Sequence, residues 1–147
     1  MKVKKFLLAL FSILLITKGL SQTQVVASND IEWKPVLINM DGTNAFKGID
    51  VTYMVSKCNS KDVVLLKLVN TNTYSVKAQW INVVVTKGGE LFGNSKLVSL
   101  KLAPSSENIG YCSGKIIQLT IKLSDFGIDA TNIDTFVASN FDVFITK

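Results

Sequence analysis

Apolar and polar residues alternate with a period of two over much of this chain, the pattern of a strand with one face buried and one face wet. Ile49, Val51, Tyr53 and Val55 share one face, and Asp50, Thr52 and Ser56 share the other. Ile117, Leu119, Ile121 and Leu123 alternate in the same way with Gln118, Thr120 and Lys122. Near the end, Phe141, Val143 and Ile145 alternate with Asp142 and Thr146, although Phe144 breaks the polar side. Val98, Leu100 and Leu102 make a shorter case. The run from Val63 to Val69 is apolar on both faces apart from Lys67, so it reads as a central strand. Beyond residue 21 no stretch of ten or more residues holds a 3.6 period, and the expected fold is all-β.

Turn residues punctuate these runs. Asn70-Thr71-Asn72-Thr73 suits a short hairpin connection, Lys87-Gly88-Gly89-Glu90 closes the following strand, and Pro104 to Asn108 makes a longer loop. Between Trp80 and Val85 the apolar phase changes: Val76, Ala78 and Trp80 lie on one face, then Ile81, Val83 and Val85 on the other. A β-bulge, or a strand passing between sheets, produces such a reversal. The spacing gives seven or eight strands, which predicts a two-sheet antiparallel sandwich, with a small closed β-barrel as the alternative.

The N-terminus has a different character. Lys2, Lys4 and Lys5 precede an apolar run from Phe6 to Ile16 broken only by Ser12, and Gly19-Leu20-Ser21 supplies the small-x-small pattern of a signal-peptidase site. The expected organisation is a signal peptide over residues 1–21 cut between Ser21 and Gln22, a loose lead-in over 22–30 and a single β-sandwich domain over 31–147. An apolar run of eleven residues is short of the about 20 that span a bilayer. The trimmed chain is therefore expected to carry no integral membrane segment and to reside in a periplasm or outside the cell.

Trimming also changes the charge. The full chain carries +5, but four of its 16 lysines leave with the leader, so twelve remain against 11 acids. Every cation is a lysine and the lysines are scattered, so bidentate readout of phosphate or guanine has no arginine to make it. Nucleic acid is excluded as the expected partner.

Export gives the two cysteines an oxidising setting, and neither belongs to a Cys-x-x-Cys motif, so Cys58 and Cys112 are expected to form a structural disulfide. Across their separation such a bridge is worth about 4 kcal/mol through loop-closure entropy. The order Cys58, Trp80, Cys112, with Tyr111 beside the second cysteine, resembles the immunoglobulin cysteine–tryptophan–cysteine arrangement. It departs in detail: the antibody tryptophan follows its cysteine more closely, and the corner tyrosine stands two residues before the second cysteine, not one. Leader, cysteine pair and strand pattern together resemble the small exported immunoglobulin-like sandwich proteins of Gram-negative bacteria, and the Leu20-Ser21-Gln22 junction is similar to Bacteroidota signals. That resemblance is architectural; it implies an extracytoplasmic setting and transfers no binding residue.

The chemistry search is mostly negative. There is no histidine, which removes Ser-His and Cys-His nucleophile pairs and histidine-bound metals. No Ser-x-x-Lys, Gly-x-Ser-x-Gly or phosphate-cradling glycine loop is present, so the chain is expected not to be an enzyme and to need no cofactor. Asp125, Asp129, Asn132 and Asp134 crowd one stretch with Gly127, and are weak calcium candidates without EF-hand order. Tyr74 and Trp80 share a face with Val76 and Ala78 and are assigned to the core. Trp33 and Phe92 are the freer aromatics and the candidate partner-binding residues. The function expected from what remains is a monomeric, non-catalytic binding module for a protein or glycan, with an inhibitor or immunity-type protein among its forms. The alternative is a structural subunit of a surface or pilus-like assembly.

Overall fold

The computed structural model describes residues 32–38 and 42–146. The expected leader, its expected cut at Ser21–Gln22 and the expected lead-in over 22–30 lie outside them. Ten strands are described: β1 (Lys34–Pro35), β2 (Leu37–Ile38), β3 (Ala45–Phe46), β4 (Ile49–Cys58), β5 (Lys61–Asn70), β6 (Val76–Thr86), β7 (Leu91–Leu102), β8 (Ser106–Ile109), β9 (Thr120–Lys122) and β10 (Ile133–Ile145). Seven have three residues or more, and β1, β2 and β3 are two-residue pieces. They form two separate, mostly antiparallel sheets that do not close into a barrel. The protein is an all-β sandwich.

The first sheet is built on the β4–β5 hairpin, whose two-residue turn, Asn59-Ser60, has φ of 50° and 63°. Both central residues in the left-handed region give the turn twist that matches a hairpin. Strands β1 and β3 line the outer edge of β4, and β8 and β9 share the outer edge of β5. β5 is thus the central strand its apolar run predicts. The second sheet has the order β2-β10-β6-β7, with β2 parallel to β10. Pro35 sits in β1 at a sheet edge, where a missing N–H disturbs no ladder. One residue later, buried Val36 passes the chain to the second sheet, its N–H bonded to the Val51 carbonyl at 3.1 Å.

The core lies between the sheets. Ile49, Val51 and Tyr53 of β4 and Val64, Leu66 and Leu68 of β5 face Trp80, Val84, Phe136, Ala138, Phe141 and Val143 of the second sheet. Trp80 and Phe141 rings lie 6.2 Å apart, and Tyr53 and Phe136 rings 6.0 Å apart, so aromatics fill the middle layer. Lys47 bridges the sheets at one end, donating to Asp142 Oδ1 at 2.7 Å.

Several local expectations are corrected. The phase reversal is not in β6: its even-numbered residues from Val76 to Thr86 all face inward, Asn82 included, and Ile81, Val83 and Val85 point outward and are half-buried. The bulge that does reverse the phase sits in β10, between Ser139 and Asp142, with Asn140 at φ 51°. It moves the inward register from Phe136 and Ala138 to Phe141 and Val143, as one inserted residue must. The 117–123 alternation is not one strand, because 3-10 turns at Ile117–Leu119 and Leu123–Phe126 flank the three residues of β9. Asn70-Thr71-Asn72-Thr73 makes no hairpin; it carries the chain from β5 in the first sheet to β6 in the second. Buried Asn70 holds that crossing, donating from Nδ2 to the Tyr74 and Ala103 carbonyls at 3.1 and 2.8 Å and accepting at Oδ1 from Asn72. Tyr74 belongs to this crossing and is 44% exposed, not core. The loop expected over Pro104 to Asn108 is shorter, since β8 begins at Ser106.

Candidate functional site

A loop of the first sheet is fixed at three points and shapes one flank of the molecule. Cys112 is bonded to Cys58 at the end of β4, with the two Cα atoms 5.2 Å apart. Before it, Gly110 donates its N–H to the Leu66 carbonyl at 2.8 Å, and a Cβ at residue 110 would overlap the Leu119 carbonyl. After it, Thr120 Oγ1 donates to the Tyr111 carbonyl at 3.1 Å. The close approach that only glycine permits brings the Ile117–Leu119 turn against the end of β8. Leu119 is buried by that packing, and Ile117 is left projecting, 74% exposed.

Ile117 stands between two depressions. One, of about 400 Å³, opens between this turn and the outer edge of β7, and Asn82 and Val98 are among its lining residues with Lys96 and Leu97. The other, of about 570 Å³, extends toward the disulfide and Lys61. Ile117, Thr120, Lys122 and Asp125 line both, so the two form one cleft with a shared crest. β7 is widened beside it: Ile81 pairs with Leu97 and Val83 with Gly93, so Asn94, Ser95 and Lys96 bulge opposite the single residue Asn82.

Asn82 is the buried polar residue of this cleft, 8% exposed. Its Oδ1 accepts the indole Nε1–H of Trp80 at 2.7 Å. Because indole nitrogen only donates, the oxygen must face Trp80, and the Asn82 amide nitrogen is left as a donor without a partner among the described residues.

The cysteine expectation holds, since Cys58 and Cys112 form the disulfide. Their position differs from the antibody arrangement: Cys58 packs with Val63, Leu65, Trp33 and Met54 on the outward side of the first sheet, whereas Trp80 lies in the main core. Trp33 is half-buried in that outer cluster with Lys67 Nζ 5.0 Å from its ring centroid. Phe92 is half-buried against the main core and lines a separate depression of about 380 Å³ together with Asn132. The fold therefore does not gather the two candidate aromatics, and each is partly buried against a different apolar cluster.

The calcium candidates are dispersed. Asp125 lines the cleft, Asp129 precedes the Ala130–Asn132 turn, and Asp134 follows Ile133 in β10. Among the described residues no three Asp, Glu, Cys or His side chains come close enough to hold a metal ion. Two carboxyls are held below the usual carboxylate value of 3.8. Asp62 is lowered by the Lys57 ammonium and the Ala130 N–H, and Asp142 by the Lys47 ammonium and the Val143 N–H. Both act as partners in surface ion pairs.

Sequence reasoning passed over Ile117 as a strand-core residue and Asn82 altogether. Ile117 gave no signal, because its period matches that of buried Leu119 and Ile121; Asn82 did carry one, as the lone amide inside an aliphatic run. Among the described residues no helix is long and apolar enough to cross a membrane. No family model, curated protein or solved structure matches the chain.

Proposed function

We propose that the protein is an exported, non-catalytic binding module and that its partner contacts the cleft around Ile117. One observation carries this: a disulfide and a glycine contact fix the turn so that a large aliphatic side chain projects into solvent between two depressions. Burying that side chain against a partner removes apolar surface from water and favours association. The leader pattern of residues 1–21 and the disulfide support a periplasmic or secreted setting. The absence of histidine from the sequence supports recognition over catalysis.

The test is affinity capture with the chain starting at Gln22, from envelope and extracellular fractions of the cells that make it. The expected result is a saturable partner whose capture is lost in Ile117→Asp while the circular dichroism and Tm of the variant are unchanged. No saturable partner, or capture indifferent to Ile117→Asp, overturns the reading.

A polymerising subunit is the second reading, favoured by β7, whose outer edge pairs with no strand among the described residues. That edge nevertheless carries the bulge at Asn94–Lys96 and a further lysine at 101, the devices that keep exposed edges from pairing. A monomer is therefore proposed, and size-exclusion chromatography of the trimmed chain at rising concentration checks it.

A further inference from the structure

We infer that the cleft takes an acidic polypeptide segment, in which a carboxylate lies next to an aliphatic side chain. This rests on the proposed partner contact at Ile117 and adds the chemistry of what binds there.

The charge on the cleft is the first ground. Lys96 and Lys122 border the depression beside β7, and Lys61 borders its continuation, against the single carboxylate of Asp125. Three ammonium groups against one carboxylate attract an anion and repel a cation. The second ground is Asn82. Its amide nitrogen has no protein partner among the described residues and is not one of the buried unpaired atoms, so it opens on the cleft as a donor where a ligand oxygen can take the place of water. Donors at the floor and cations at the rim select a ligand rich in acceptor oxygens and negatively charged.

The surroundings decide for a polypeptide over an anionic glycan. Sugar rings are bound on flat aromatic faces, yet half-buried Phe126 is the one aromatic among the residues lining the two depressions, and exposed Tyr111 of the same loop is not among them. Aliphatic surface replaces them. Ile117 is 74% and Leu97 52% exposed, and Leu97 pairs across the sheet with outward-facing Ile81. Beyond Ile81, the same outward face carries Val83, Val85 and Leu91. A strip of branched side chains beside a cationic cleft matches a peptide that alternates acids with aliphatic residues.

The experiment is a titration of isotope-labelled trimmed protein, followed by amide and side-chain NMR shifts. The probes are a capped Glu-Glu-Leu-Glu-Glu peptide, its lysine counterpart Lys-Lys-Leu-Lys-Lys, and a galacturonate oligomer. The expected result is saturable shifts of the Asn82 side-chain NH₂ and of the Ile117–Lys122 amides with the acidic peptide alone. Affinity should fall about tenfold or more in the double variant Lys96→Glu, Lys122→Glu, and fall again as salt rises. Saturable shifts with the galacturonate oligomer and none with the acidic peptide overturn the inference in favour of an anionic glycan. Binding of the lysine peptide, unchanged affinity in the double variant, or no shifts with any probe also overturns it. Capture of a cellular partner that still depends on Ile117 would then leave the binding-module reading standing, so the two fail separately.

Discussion

The indole nitrogen of Trp80 donates to the side-chain oxygen of Asn82 across 2.7 Å, joining two buried residues of β6 that face the same side of the sheet. This bond lets a polar residue occupy a core-facing position and fixes which end of its amide remains uncommitted. Asn82→Ala should lower the unfolding free energy by about 1–3 kcal/mol, because the indole N–H is then buried without an acceptor. Urea denaturation followed by tryptophan fluorescence measures it. In a double-mutant cycle with Trp80→Phe, the two losses should be less than additive; strict additivity would contradict the coupling.

Asn70 makes a second polar commitment inside the fold. Both of its amide hydrogens go to carbonyls, of Tyr74 and Ala103, and its oxygen accepts from Asn72, so it ties the β5–β6 crossing to the end of β7. Asn70→Ala should cost about 2–3 kcal/mol, and Asn70→Asp more, since a carboxylate would face two carbonyl oxygens. Thermal unfolding of the two variants, with Asp the lower Tm at neutral pH, checks the order.

The disulfide closes a loop of sequence separation 54, for which loop-closure entropy gives about 4 kcal/mol. A Cys58→Ser, Cys112→Ser double variant should lose stability of that order. Hydrogen exchange should show its fastest new opening between Cys112 and Ile117, while Trp80 and Phe136 keep their protection until global unfolding. Uniform loss of protection would contradict a bridge that anchors a loop at one end of one sheet.

Acid should act through two carboxylates. Asp62, paired with Lys57 at 2.7 Å and bonded to the Ala130 N–H, and Asp142, paired with Lys47, both have folded-state values below 3.8. A lowered folded value means the stabilisation is present above the ordinary carboxylate value and is lost as pH falls through the folded one. Stability should therefore be insensitive to these two groups near neutrality and decline below about pH 4. Asp62→Asn should flatten that decline; an unchanged acid limb in Asp62→Asn and Asp142→Asn together would contradict the assignment.

Long strands with one buried face were legible because period two records burial directly: β4, the inward set of β7 and the doubly apolar β5 all lie where their side chains direct them. Ambiguity arose where outward positions are apolar too. In β6, Ile81, Val83 and Val85 mimic a phase change because they cover the outer face, while the inward places opposite them are held by Asn82, Val84 and Thr86. The true reversal in β10 needs a residue at φ 51°, and Asn140, followed by Phe141, supplied a turn-tolerant residue that the alternation alone did not mark. The site was harder still. The exposure of Ile117 comes from Gly110 meeting Leu119 and from Cys112 reaching Cys58, contacts between segments that local pattern cannot relate. Trp33, beside Pro35 of an edge strand, and Phe92, just past a glycine turn, are each half-buried because each lies beside an apolar cluster.

The most direct test of a partner contact at Ile117 is site-specific photo-crosslinking in cells that make the protein, with benzoylphenylalanine placed at residue 117 and, separately, at residue 144, the site of exposed Phe144 in β10. The account predicts a discrete adduct from position 117 that is absent from position 144. No adduct from 117, or the same adduct from both positions, would contradict it.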